Sequence, residues 1–226
     1  MERRDIKSYV IRSGRMGKGL KTALGNYLPS FGLEYSENSP LILEYAKNYE
    51  KLIVEIGFGM GEAFIELAQR EPESLFIGLE VHPPGVGRVL KQAEERSLKN
   101  IRIIKHDAFS VLRDMFPPRI VDGFHIFFPD PWPKRRHNKR RLIQKEFLEI
   151  LSERLKEGGY IYIVTDWKDY AEFILDQAGN LKILENQGMP YIKRLPWRPM
   201  TSFEQKAINK DNKIFEIYYI KRTVTN

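Results

Sequence analysis

The residues best suited to chemistry in this 226-residue chain fall in one run, Phe127-Phe128-Pro129-Asp130-Pro131-Trp132-Pro133-Lys134-Arg135-Arg136-His137-Asn138-Lys139-Arg140-Arg141. An apolar segment ends in a carboxylate held between two prolines. A tryptophan follows, then six Lys or Arg among the eight residues 134–141. Proline fixes φ and restricts the residue before it, so this turn is stiff. An acid, an aromatic face and a phosphate-binding surface thus stand side by side, a layout that suits chemistry on a nucleic-acid base. Trp132 is either a stacking face for an unstacked base or a hydrophobic lid on the loop. The cations read as a phosphate clamp, with a solvated helix start as the alternative. Cations at a helix start oppose the macrodipole, which favours the clamp.

Other acids recur at regular places. Short apolar runs at 51–56, 75–80, 101–105, 121–128 and 160–165 read as strands. Between them, apolar residues at helical spacing predict helices over 61–69, 85–97, a short stretch to 116, 142–155 and 167–178. Gly158-Gly159 reads as the stop of the fourth helix. Strands alternating with helices predict a parallel sheet covered on both faces. Residues 213–220 alternate and are β-branched and aromatic, which predicts an added antiparallel strand. Glu55, Glu80, Asp107, Asp130 and Asp166 each fall at the end of a predicted strand or just past it. In an open parallel sheet those ends share one edge, where ligands bind. Each acid alone could cap a helix. Five together crowd like charge, which a ligand with cationic and hydroxyl groups would relieve.

The loop Glu55-Ile56-Gly57-Phe58-Gly59-Met60-Gly61 sharpens that ligand. Glycines allow a tight turn and close approach to the backbone. The third glycine comes one position too early for a dinucleotide fingerprint, and Glu62 takes its slot. A carboxylate at the start of the next helix would repel a pyrophosphate. The pattern therefore suits a nucleoside without phosphates and argues against a nucleotide-dependent dehydrogenase.

Composition sets the outer limits. Apolar residues make up 42% and charged residues 30%, as in a soluble globular protein. There is no cysteine, which excludes disulfides and thiolate metal sites and fits a reducing cytosol. No apolar run reaches membrane-span length, and the N-terminus lacks a signal-peptide core. The four histidines have no metal-ligand spacing, so no metal is expected. The net charge of +7 suits a polyanionic partner. Seven Lys or Arg stand among residues 1–24, where Gly14, Gly17 and Gly19 disfavour a helix. That segment reads as a flexible basic arm, with an idle terminus as the alternative.

These motifs together resemble the bacterial tRNA (guanine-N7-)-methyltransferase family. The resemblance rests on Val54 to Gly61, Gly78-Leu79-Glu80-Val81-His82, Phe128 to Trp132, Arg136 to Arg141, Thr165-Asp166-Trp167 and Thr201-Ser202-Phe203-Glu204, in order along most of the chain. It implies a Rossmann-like class I S-adenosylmethionine-dependent methyltransferase fold: a mainly parallel sheet, an antiparallel C-terminal strand and helices on both faces. It divides the chain into a basic arm and lead-in at 1–50 and a methyltransferase domain at 51–226. It implies transfer of a methyl group from S-adenosyl-L-methionine to N7 of a guanine in the variable loop of tRNA, by a cytoplasmic monomer or homodimer. Glu55 and Gly57 would hold the methionine end of the cofactor, with Gly59 and Gly61 also in its site, Glu80 the ribose hydroxyls, and Asp107 with Ala108 the adenine. Asp130 would lie at the methyl-transfer site, near the cofactor, and either hold the base or orient the cofactor. Lys134, Asp166, Thr201, Ser202, Phe203 and Glu204 would contact substrate, and Arg136, His137, Asn138, Lys139, Arg140 and Arg141 the RNA. A catalytically idle RNA-binding protein on the same fold is the reading of a different class.

Overall fold

The computed structural model describes residues 7–9 and 16–223. Arg3, Arg4, Arg12 and Arg15 of the predicted arm lie outside them. The central frame is a seven-stranded sheet. Its strands are β1 (Lys51–Ile56), β2 (Ser74–Leu79), β3 (Ile101–Ile104), β4 (Val121–Phe127), β5 (Leu155–Thr165), β6 (Leu184–Asn186) and β7 (Phe215–Lys221), in the order β3-β2-β1-β4-β5-β7-β6. The first five pair in parallel; β7 runs antiparallel to both β5 and β6. The fold class expected from the alternation and the resemblance is therefore the fold observed. The three-residue β6 carries too little pattern to be read in advance.

Period-two burial explains why the strands are apolar throughout. Leu52, Val54 and Ile56 of β1 face one core, shared with α5 (Ala108–Asp114), α6 (Lys145–Arg154) and α7 (Lys168–Ala178). Ile53 faces the other, shared with α3 (Glu62–Arg70) and α4 (Pro83–Glu95). Helices on both faces bury both sides of each central strand, as a parallel sheet requires.

Two boundaries differ from expectation. Residues 18–31 form a helix, α1 (Lys18–Phe31), inside and beyond the stretch expected to be a flexible arm. Gly17 sits outside it at the N-cap, and Gly19 is held within it by packing of α1 on α4. The contact is close: a Cβ on Gly87 would lie 2.7 Å from the Leu20 carbonyl oxygen. Tertiary packing thus outweighs the local preference. Beyond α1, Leu33 and Ile42, the latter on α2 (Leu41–Ala46), are buried in the core, so the lead-in packs onto the sheet. The second difference is that β5 begins at Leu155 rather than at 160, directly after α6, which ends at Arg154, within one residue of its expected end. Arg154 donates to the carbonyls of Leu112 (2.8 Å) and Arg113 (3.3 Å) near the end of α5. The two glycines lie inside β5, where its pairing with β4 slips between Val121 and Gly123, and Gly158 takes φ +75°. They mark a β-bulge.

Candidate active site

The sheet order reverses between β1 and β4, and there a crevice opens at the strands' carboxyl ends. It has a volume of about 750 Å³, and Glu55, Glu80, Asp107 and Asp130 all line it. Asp166 does not; its carboxylate accepts from the Asn212 amide (3.0 Å) away from the crevice. Four of the five strand-end acids are thus brought together.

Each has a distinct setting. Gly57, Gly59 and Gly61 all take positive φ (71°, 56° and 76°), a path that side chains resist, and this coil forms the crevice floor. Glu55, where β1 meets that coil, is buried, and its Oε2 has no hydrogen-bond partner among the described residues. Burial pushes its carboxyl up to about 8. Glu80 is held by three backbone N–H groups, from Gly59 (2.8 Å), Val81 (2.7 Å) and His82 (2.9 Å). A carboxylate offers about four acceptor positions, so one remains for a ligand hydroxyl. Asp107 caps α5 by accepting from the Ser110 N–H (3.1 Å) through Oδ1, and it lines the crevice. Asp130 is exposed at the mouth.

The loop around Asp130 is held under strain. Phe128 and Trp132, on either side of it, both take positive φ (53° and 45°), costly for bulky residues and found where surroundings enforce it. Trp132 lines the crevice and donates through Nε1 to the Ser8 carbonyl (3.0 Å), and the Arg140 guanidinium lies 4.9 Å over its ring. Residues Arg135–Arg140 form a 3-10 turn. Lys134, Arg136 and Lys139 are exposed on it, and Lys134 and His137 line the crevice. Loss of hydration and the surrounding cations lower the His137 imidazole below its usual range.

Arg141 requires a correction. Its side chain is buried: it pairs with Asp169, donates to the Pro131 carbonyl (3.0 Å), and sits 5.0 Å over both Tyr170 and Phe173. It fastens the Asp130 loop to α7 and offers RNA nothing. Asn138 likewise serves the loop, donating to the carbonyls of Trp132 (3.1 Å) and Lys134 (3.3 Å) with its amide turned toward them.

The last motif splits in the same way. Thr201 caps α8 (Ser202–Ile208) by accepting from the Glu204 N–H (3.2 Å). Thr201, Ser202 and Phe203 line the crevice, and Phe203 is 51% exposed, its ring nearly parallel to that of Phe128. Glu204, expected to touch substrate, is instead 2% exposed. Burial would raise its carboxyl, but Arg198 outweighs this and holds it below the usual range. Arg198 donates to both Glu204 oxygens (2.7 Å each), to Glu216 (2.8 Å) and to the Tyr162 hydroxyl (3.2 Å). Sequence reasoning missed Arg198 because nothing local marks a buried arginine. It also gave Glu62 no positive role, although Glu62 lines the crevice.

Among the described residues no cluster could hold a metal ion, and no helix is long and apolar enough to cross a membrane.

A mainly parallel sheet in this order, a glycine coil after β1 and an acid after β2 define a class I S-adenosylmethionine-dependent methyltransferase. Two solved structures share the fold. The 16S rRNA methyltransferase KamB gives a TM-score of 0.59 at 13% identity, covering 85% of this chain and 96% of its own. A SAM-dependent O-methyltransferase from Thermotoga maritima gives 0.52 at 18%, covering 92% and 72%. The family described as "Putative methyltransferase" matches residues 49–217. The tRNA (guanine-N(7)-)-methyltransferase of Thiobacillus denitrificans is 46% identical over 220 residues, covering 96% of each chain. Those of Nitrosospira multiformis and Methylobacillus flagellatus are 44% and 42% identical over 97% and 98% of this chain, covering 96% and 94% of their own. The chain belongs to the tRNA (guanine-N(7)-)-methyltransferase family.

Proposed function

We infer that this protein methylates N7 of a guanine in the variable loop of tRNA, using S-adenosyl-L-methionine, in the cytoplasm. The observation that carries the reading is the convergence of Glu55, Glu80, Asp107 and Asp130 on one crevice, beside a lip of exposed cations. Family membership supports the tRNA substrate; the resemblance adds the variable loop.

The crevice fits the cofactor on its own chemistry. Glu55 has a buried oxygen without a partner among the described residues, and a cationic ligand end would provide one. Glu80 keeps an acceptor position for a ribose hydroxyl, and Asp107 with Ala108 stands at the adenine end. When bound, S-adenosylmethionine supplies a methyl group on a cationic sulfur. Guanine N7 carries a lone pair and no proton, so its attack on that methyl needs no general base. What the chain supplies is alignment and exclusion of water, worth on the order of 7–11 kcal/mol of barrier. Asp130 accepts from guanine N1–H and N2–H₂, which holds the base and raises electron density at N7. Phe203 and Phe128 present faces for the unstacked base. Lys134, Arg136 and Lys139 hold phosphates. The residues from 51 onward carry the sheet and most of the crevice, with the lead-in packed on them, and the basic arm adds contacts to RNA.

Labelled-methyl transfer to unmodified tRNA, followed by digestion to nucleosides, tests the reading. The label is expected in 7-methylguanosine. Label in an amine-methylated base, or none in RNA, overturns it.

A further inference from the structure

Glu62 opens α3 directly after the glycine coil, where a carboxylate favours the helix dipole. Its side chain does more. Oε2 accepts from the backbone N–H of Ser202, 2.6 Å away and 140 residues later. Ser202 is the first residue of α8, and its N–H has no acceptor within that helix. A side chain from the start of α3 thus completes the start of the helix that carries Phe203. The two segments also lie close: a Cβ on Gly59 would come within 3.7 Å of the Phe203 ring. Phe203 in turn stacks beside Phe128, next to Asp130, with ring centroids 6.4 Å apart and 18° between planes. The rest of α8 is fixed from beneath by Glu204 on Arg198. The tip of α8 is therefore tied to the glycine coil, its base to the sheet.

We propose that the Glu62–Ser202 bond is a latch coupling the two substrate sites. A ligand that fixes the glycine coil fixes the start of α3 and its Glu62 carboxylate. The carboxylate fixes the tip of α8, and with it the aromatic face that receives the guanine. A charge-assisted hydrogen bond is strong enough to carry such a constraint. Glu62 is a positioning residue: it acts through Ser202 and Phe203. The inference rests on the tRNA methyltransferase reading above.

Coupling is measured as the factor by which saturating S-adenosylhomocysteine tightens binding of unmodified tRNA. Linkage requires tRNA to tighten S-adenosylhomocysteine by the same factor. The wild type is expected to show a factor of about five or more. Ser202→Pro deletes the donor at a position where helices tolerate proline. Thr201 already has the extended backbone that a residue before proline needs (φ −103°, ψ 159°). Ser202→Pro and Glu62→Ala should each bring the factor to about one, and lower kcat/KM for tRNA about ten- to a hundredfold. Their affinity for S-adenosylhomocysteine without tRNA should stay at the wild-type value. Ser202→Ala keeps the N–H, Glu62→Gln keeps an acceptor oxygen, and both should keep the coupling. If Ser202→Pro melts early, the Glu62→Ala and Glu62→Gln pair decides. A wild-type factor of one, coupling that survives in Glu62→Ala, or coupling lost equally in Ser202→Ala overturns the latch. Wild-type methyl transfer to tRNA is scored separately, so failure of the enzymatic reading is distinguished from failure of the latch.

Discussion

A buried carboxylate with an unpartnered oxygen is costly, and Glu55 is such a group. Its carboxyl titrates near 8 rather than at 4.5. Below about pH 4.5 it is neutral in both folded and unfolded chains and costs nothing. As pH rises toward 8 the unfolded chain ionises first, so stability falls, and above 8 the full penalty of several kcal/mol is present. Glu55→Gln should remove that slope and make the ligand-free chain more stable than wild type at pH 9, as read by denaturant unfolding. The same variant should bind S-adenosylmethionine less tightly. In the wild type a cationic ligand draws the Glu55 carboxyl down, so binding releases a proton. Affinity should rise from pH 6 toward 8, until the ligand's own amine titrates near 7.7–8.0. Calorimetry in buffers of different ionisation enthalpy reads this directly, and proton uptake on binding would contradict it. At Asp130, Asp130→Asn should lower turnover at saturating tRNA about ten- to a hundredfold; near-normal turnover would refute the base-holding role. Asp130, Glu55, Glu80 and Asp107 were legible because strand ends can be counted along a sequence. Arg141 and Glu204 were not, because a sequence displays charge but not burial, and both are spent on internal partners.

Elements were legible where a periodic pattern ran long enough. The alternation at 213–220 announced an added antiparallel strand, and β7 pairs with β5 in that sense. The pattern failed where tertiary contacts override local preference. Gly19 argues against a helix, yet α1 forms on the surface of α4. Gly158-Gly159 resembles a helix stop but shapes a bulge. The strained φ of Phe128 and Trp132 is equally invisible in composition, although the prolines beside them mark a stiff loop. Three buried arginines, Arg141, Arg154 and Arg198, hold these elements in place. Removing Arg198 would leave Glu216 as a buried, uncompensated charge and Glu204 with Arg194 as its one remaining cationic partner among the described residues. Arg198→Met should therefore destabilise the fold by about 3–5 kcal/mol, seen as a lower denaturant midpoint. A change under about 1 kcal/mol would show that the network carries no such strain.

For the molecule as a whole, acid lines the crevice and cation lines its lip. This separation explains how a chain of net charge +7 presents carboxylates to one ligand and phosphate-binding groups to another. Binding of tRNA should weaken steeply with salt. Lys134→Ala, Arg136→Ala and Lys139→Ala should each reduce the slope of log K against log salt by about one. Arg141→Ala should leave that slope unchanged and lower the melting temperature, because its guanidinium is internal. Equal slopes for all four variants would mean that the lip does not hold phosphates. The chemistry at the centre has its own direct measurement: methyl transfer to a tRNA whose variable-loop guanine is replaced by 7-deazaguanine, which lacks the N7 lone pair. This tRNA should still bind and accept no methyl group, while the unmodified tRNA is methylated. Continued methylation of the substituted tRNA would contradict it.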